Sequence, residues 1–362
     1  MTLPRKPLVG HLELGAPWTL AVIGAVAAVT WAMVDAHATP LDGPIFFEAA
    51  DRLFSARWAM TFSDPGIQSG PLQLAAYGVS SMVARPLNVD PAVVLAALFE
   101  CGSLVATALV VRVTIRRTWT AAWLVAAATV ASGLVHLTFL SGHLAEGIIP
   151  LCWIAAAACA RDRRPLLAGS LIAVAAGWEV WGMLGCSVLL LERDLRSVLR
   201  ASATAAVGVA LVFGPFFVLG DVGTFAHSWR VTSQSLWSYV VPVGTAVSWR
   251  ARLLQAAVAS LAGVAMVRFA RSHRLVWEVP LVVVVTRLVV DPVNFGYYWL
   301  SAGYVLAVGV VDVAATMRSR GPRRPVAAAR TSADALARGR VTPRRIRPST
   351  SAEPPSRAVQ GG

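Results

Sequence analysis

The sequence predicts an all-α polytopic membrane protein: a bundle of about ten transmembrane helices with a long first extracytoplasmic loop. Three observations carry that expectation. Hydrophobic residues make up 56% of the 362 positions and charged residues only 14%, with a mean hydropathy of +0.63, whereas soluble domains carry about 25% charged residues. Apolar runs recur at the length needed to cross a hydrocarbon core of about 30 Å. Arginine clusters follow alternate runs, as they do when basic loops stay on the cytoplasmic side. The net charge of +13 is unevenly placed, because from Arg318 onward eleven arginines face only Asp334 and Glu353. The high isoelectric point therefore describes a tail and the inner loops. Membrane lipids are the expected contacts, and no nucleic acid is.

The elements follow in order. Arg5 and Lys6 precede an apolar run from about Pro17 to Val34, so the N-terminus is expected in the cytoplasm. Ala36-His37-Ala38 imitates a signal-peptidase site, but the run is longer than a usual signal core and reads as an uncleaved first span. The loop over 35–90 is then extracytoplasmic. It holds Asp35, Asp42, Glu48, Asp51 and Asp64, out of 19 acidic residues in the chain. Pro44 suits the first position of a helix that Asp42 or Gly43 can cap. Ile45, Phe46, Ala49, Leu53 and Phe54 recur at helical spacing, while Glu48 and Arg52 stand four apart and can pair. The run Pro71–Ala84 is expected to lie in the interface, because only then does every later arginine cluster fall inside. Spans are expected over about 91–111, 119–138, 146–160, a hairpin 165–191, 202–220, 252–269, 275–290 and 298–316. Domain organisation is accordingly a transmembrane domain over 1–317 and a disordered basic cytoplasmic tail over 318–362. Cys101, Cys152, Cys159 and Cys186 lie in apolar runs without CxxC spacing, so no disulfide and no cysteine metal site are expected.

Several polar residues stand out against this frame. His143 and Glu146 lie three apart at the outer start of a span, where they suit sugar hydroxyls or a divalent cation; two residues are too few for a metal site, and no cofactor is expected. Arg287 sits about one turn inside the outer end of its span. A charge there either snorkels to the surface or marks a site, and a guanidinium suits a lipid phosphate. Asn294, Tyr297 and Tyr298 belong to an outer cluster that reads either as an interfacial aromatic belt or as a sugar-stacking surface. Glu48 is either a sugar contact or the solvated partner of Arg52. Glu100 is placed mid-span, facing the bundle. No G-x-x-x-x-G-K-[ST] or G-x-G-x-x-G is present.

Two motif sets carry a family resemblance over roughly residues 15–200. One is Asp42-x-x-x-Phe46-Phe47-x-Ala49-Ala50-x-x-Leu53-Phe54 followed by Gly70-Pro71-Leu72, which resembles the first extracytoplasmic loop of the GT-C superfamily of polytopic glycosyltransferases. The other is Ser141-Gly142-His143, a span, Arg161 to Arg164, and the Ala-Gly-rich run Leu167 to Ala176. It is similar to the bacterial mannosyltransferase branch of glycosyltransferase family 87 type, which includes the actinobacterial phosphatidylinositol-mannoside enzymes. The chain departs from that pattern at His143, where the family often has Gln, and at Gly177-Trp178-Glu179, where a Lys often stands.

The resemblance implies a GT-C-like bundle in the plasma membrane, with both termini cytoplasmic and the active site outside. It implies transfer of a sugar, mannose in this branch, from a polyprenyl-phosphate donor to an envelope glycolipid or glycan. Asp42 occupies the position of the family's loop aspartate and so is the expected catalytic base, with Asp35 the runner-up; Arg287 is expected to hold donor phosphate. The alternatives are a lipid-linked-sugar transporter or flippase, which would show internal repeats or broken spans, and an inactive scaffold of GT-C type.

Overall fold

The computed structural model describes residues 9–38, 40–115, 118–272 and 275–320. Arg5, Lys6, Arg116, Arg117, Arg274 and the tail beyond Arg320 lie outside the described residues. The chain divides into one unit over Met1–Ala315 and another over Thr316–Gly362, and the first contains every feature below except the end of the helix Leu300–Arg320.

The described fold is helical, with one antiparallel pair of two-residue strands, Trp229–Arg230 and Ala246–Val247. Its helices are α1 (Val9–Asp35), α2 (Gly43–Leu53), α3 (Pro71–Leu87), α4 (Pro91–Ile115), α5 (Trp119–Ala131) and α6 (Leu134–Ser141). They continue with α7 (Ala145–Arg161), α8 (Pro165–Trp178), α9 (Leu195–Leu219), α10 (Trp249–Ala270), α11 (Glu278–Val289) and α12 (Leu300–Arg320). Local chemistry sets several of these boundaries. Proline, whose φ is already helical and whose missing N–H is not needed there, opens α2, α3 and α8. The Asp194 carboxylate caps α9 by accepting from Ser197 N at 3.0 Å. Gly133, at φ +76°, separates α5 from α6, and the pair bends by 50°. Between α8 and α9 the chain runs as a 3₁₀ helix over Val180–Leu191. That is long for this conformation. Close packing accompanies it: a Cβ on Gly182 would stand 2.2 Å from Ala175 O, one on Gly185 2.2 Å from the Trp153 indole, and Trp153 Nε1 donates to Gly182 O at 2.8 Å.

Packing centres on α7. Its buried residues include Ala145, Gly147, Ala156, Ala157, Ala158 and Ala160, small side chains that let neighbouring backbones approach closely. α7 packs on α8 and α4, α8 on α9, and α1 on α4 and α5. The outer faces are apolar: Trp18 is 73% exposed, Leu211 73% and Val218 80%. Such a belt is what a bilayer covers.

The helix lengths differ from the expected ten spans. Five described helical stretches (Pro17–Asp35, Pro91–Thr114, Leu195–Leu219, Trp249–Ala270 and Gly296–Ala314) are long and apolar enough to cross, six if bent α5–α6 is one span. Segments read as spans from hydropathy alone are shorter: α7 has 17 residues, α8 14, the 3₁₀ helix 12 and α11 12. Apolar composition marks burial, and a helix enclosed by neighbours is apolar whether or not it reaches both faces of a membrane.

Candidate functional site

A cavity of about 340 Å³ opens where the first loop, the turn before α7, the α8 hairpin tip and the 291–299 segment meet. Close backbone contacts tie the first loop to the turn before α7 and to the hairpin tip. Leu41 N donates to Leu140 O at 2.9 Å, and Gly142, at φ +79°, lies so close to the Asp42 backbone that a Cβ would stand 3.2 Å from Asp42 N. Gly142 O in turn accepts from Tyr77 Oη at 2.8 Å, which ties the turn to α3. On the other side Ser69 pairs with Glu179 as an antiparallel bridge, and Gly70 N donates to Trp178 O at 2.8 Å.

Asp42 is at the N-cap of α2, yet its side chain makes no cap hydrogen bond. It turns to His143, whose Nε2–H donates to Asp42 Oδ2 at 2.8 Å; a carboxylate can only accept, so this ring nitrogen carries the proton. Tyr297 Oη lies 3.3 Å from the same nitrogen, and its ring stacks on the imidazole at 5.0 Å and 14°. Burial pulls the His143 imidazolium down, but the Asp42 hydrogen bond and the Glu179, Asp42 and Glu146 charges outweigh it and hold the group above its ordinary value. Asp42 keeps 33% of its side chain exposed, so it faces the cavity rather than the core.

Two arginines also line the cavity. Arg287 is 4% exposed and lies over the Trp181 ring at 3.9 Å and the Tyr298 ring at 5.1 Å. It does not snorkel. Its Nη groups reach Glu146 at 3.3 and 3.4 Å, and the Ser301 hydroxyl donates to the same carboxylate. Arg252, in the first turn of α10, bonds both Asp291 oxygens at 2.6 Å and lies over Trp229 at 4.7 Å. Asp291 also accepts from Gln255 Nε2 at 2.7 Å and Val293 N at 2.8 Å. Glu179 lines the same cavity, with Oε2 buried and unpartnered among the described residues. Burial drives its carboxyl above the usual range, against the pull of His143 and Arg287.

Among the residues singled out from sequence, Asp42, His143, Arg287, Tyr297 and Tyr298 line this cavity. Glu146 stands behind Arg287, fully buried. Three others are elsewhere. Asp35 is buried at the end of α1 with Oδ1 2.5 Å from His136 Nδ1, and it does not line the cavity. Glu48 pairs with Arg52 at 3.2 Å and is 74% exposed, outside the cavity wall. Asn294 holds the 291–299 segment, its backbone N–H donating to Thr232 Oγ1 at 3.0 Å and its Oδ1 accepting from Trp299 Nε1 at 3.2 Å, also outside the wall. Sequence reasoning missed Arg252, Gln255 and Trp181. A signal for Arg252 was present: Arg230, Arg250 and Arg252 fall on the outer side of a chain whose other arginine clusters read as inner.

Among the described residues no group of three or more His, Cys, Asp and Glu gathers to hold a metal ion. A second, apolar hollow of about 150 Å³ adjoins the first, sharing Gln68, Val180 and Met183 and lined by Phe62, Phe213, Phe216 and Phe217. The arrangement thus joins a carboxylate hydrogen-bonded to imidazole, two arginines across an aromatic-walled space, and an apolar annex. The family model for glycosyltransferase family 87 matches residues 79–337, a stretch that holds His143, Arg252, Arg287 and Tyr297 and begins after Asp42. No curated protein and no solved structure matches the chain.

Proposed function

The chain belongs to glycosyltransferase family 87, and on that premise we propose that it moves a sugar, mannose, from a polyprenyl-phosphate donor to an envelope glycolipid or glycan on the extracytoplasmic side of the plasma membrane. The observation that carries this reading is the placement of Asp42, hydrogen-bonded to His143, across one cavity from Arg252 and Arg287.

The acceptor hydroxyl approaches Asp42, which takes its proton as the oxygen attacks the anomeric carbon. The bond from that carbon to the phosphate oxygen breaks, and the lipid phosphate leaves with the electron pair. Arg287 and Arg252 face the charge that develops on it. The Arg287–Glu146 contacts of 3.3 and 3.4 Å are longer than the roughly 2.7–2.9 Å of a tight charge-assisted pair, so the guanidinium keeps capacity for a phosphate. Trp181, Trp229 and Tyr298 offer faces for a sugar ring, and the apolar annex takes the first isoprene units. His143 orients the Asp42 carboxylate by its hydrogen bond.

Membranes carrying the protein, supplied with radiolabelled polyprenyl-phosphate mannose, test this directly. Asp42→Asn is expected to lower transfer by about 10²–10⁴-fold, the usual contribution of a positioned base, with the protein still folded. Transfer that survives the change removes Asp42 from the base role. A second reading, an inactive scaffold, is favoured by one observation: the segment Gly177-Trp178-Glu179, where the resemblance implies a Lys, instead puts the Glu179 carboxyl in the wall. It predicts no transfer with any lipid-linked donor.

A further inference from the structure

A polar hollow of about 280 Å³ lies at the other end of the bundle, lined by Arg161, Arg163, Glu192, Arg193 and Arg271 with Ala160 and Leu191. α7 runs from Glu146, behind the catalytic wall, to Arg161 here, and α10 from Arg252 to Arg271. Those intervals are fifteen and nineteen residues, so the two hollows stand roughly 22–28 Å apart along the helices. That is close to the thickness of a hydrocarbon core.

Four guanidiniums and one carboxylate give this lining a formal charge of +3. Two of the arginines are anchored to backbone carbonyls. Arg161 Nη2 donates to Ala270 O at 2.6 Å, and Arg271 donates to Leu190 O through Nε at 3.2 Å and Nη2 at 2.7 Å. Arg161 Nη1 is buried with no hydrogen-bond partner among the described residues. Glu278 and Asp312 act on Arg161 from the α11 and α12 side without lining the hollow. Glu192 turns Oε1 to the backbone, accepting from Arg193 N at 2.8 Å and Asp194 N at 3.2 Å. Arg163 and Arg193 are exposed at the rim. Arginines that only fix topology need neither a shared hollow nor oriented guanidiniums, and both are present here.

We propose that this hollow binds a phosphate group, carried by the headgroup of an anionic phospholipid in the leaflet opposite the catalytic cavity. A guanidinium matches phosphate oxygens in pairs, and arginines near an anionic surface each add to lipid binding. Leu195 and Leu199, 69% and 59% exposed on the first turns of α9, offer an apolar flank beside Arg193 for the acyl chains.

The test uses the full chain in phosphatidylcholine nanodiscs with and without phosphatidylglycerol, reading lipid retained by native mass spectrometry and the thermal midpoint. Wild type is expected to retain phosphatidylglycerol and unfold at a higher temperature with it. Arg163→Gln with Arg193→Gln removes two rim guanidiniums that make no side-chain hydrogen bond among those described, and it should weaken retention by about 25-fold, fivefold for each. Arg196→Gln with Arg200→Gln, on the exposed start of α9, should change retention by less than about twofold. Equal weakening in that control, or equal retention in wild type and the rim variant, overturns the proposal in favour of a diffuse basic surface. A third arm adds inorganic phosphate to neutral nanodiscs. Stabilisation there, lost in the rim variant, keeps the phosphate site and makes its natural ligand soluble. No response of wild type to either phosphate source overturns it.

Discussion

The Asp42–His143 contact joins a carboxylate to an imidazole that keeps its proton above the ordinary range. The fold therefore binds that proton more tightly than the unfolded chain does. The resulting stability is fully present below the unfolded value of about 6.5 and is lost as the pH rises through the higher folded value. Comparing wild type with His143→Gln by thermal unfolding in detergent, the difference should be constant below about pH 6 and shrink on the alkaline side. A difference that does not change with pH would mean the imidazole is neutral throughout. Glu146 makes a separate prediction. It is fully buried against Arg287, which is itself 4% exposed, and removing one partner of a buried pair typically costs about 3–5 kcal/mol. Glu146→Ala should lower the unfolding midpoint well beyond what Glu48→Ala does, since Glu48 pairs with Arg52 only at the surface.

At the scale of elements, the cavity depends on the first loop being pinned to the α8 hairpin. A Cβ on Gly70 would stand 2.2 Å from Gly177 O and 2.9 Å from the Trp178 carbonyl carbon. Both are backbone atoms that cannot rotate away. Gly70→Ala should cost about 1–3 kcal/mol and open the Ser69–Glu179 pairing, seen as faster proteolysis of the first loop together with lost transfer. Ala substitution at Gly102, which has open space around its Cβ position, is the matched control. The α2 helix was legible because proline at its start and a 3–4 apolar spacing are local signals, and so was the Glu48–Arg52 pair. The side chain of Asp42 was readable only as a choice between cap and base, since its partner His143 is 101 residues away. Asp35 and His136 are likewise 101 apart, and no periodicity announces such a pair. Arg252 was obscured differently: at the head of an apolar run it looks like an interfacial anchor, and only the fold sets it against Asp291 and Trp229.

For the whole molecule, the end of the bundle that carries Asp42 and the end that carries Arg161 and Arg271 should face opposite compartments. With the native cysteines removed, a cysteine at exposed Asp64 should react with a membrane-impermeant maleimide in intact cells. One at exposed Arg193 should react only after permeabilisation. Reaction of both in intact cells would remove the two-sided arrangement. Hydropathy conveyed that the chain is a membrane bundle, but it does not by itself separate full crossings from shorter enclosed helices, because enclosed helices such as α7 are as apolar as lipid-facing ones. One contact set described above also bears on biosynthesis. His143 meets Tyr297 across 154 residues and Glu146 meets Ser301 across 155. A ribosome therefore delivers the loop aspartate early and the residues that close its pocket nearly last. Until α12 is inserted, Glu146 lacks the Ser301 hydroxyl and His143 lacks its stacked tyrosine. A nascent or prematurely terminated chain would thus sit in the membrane without a finished pocket.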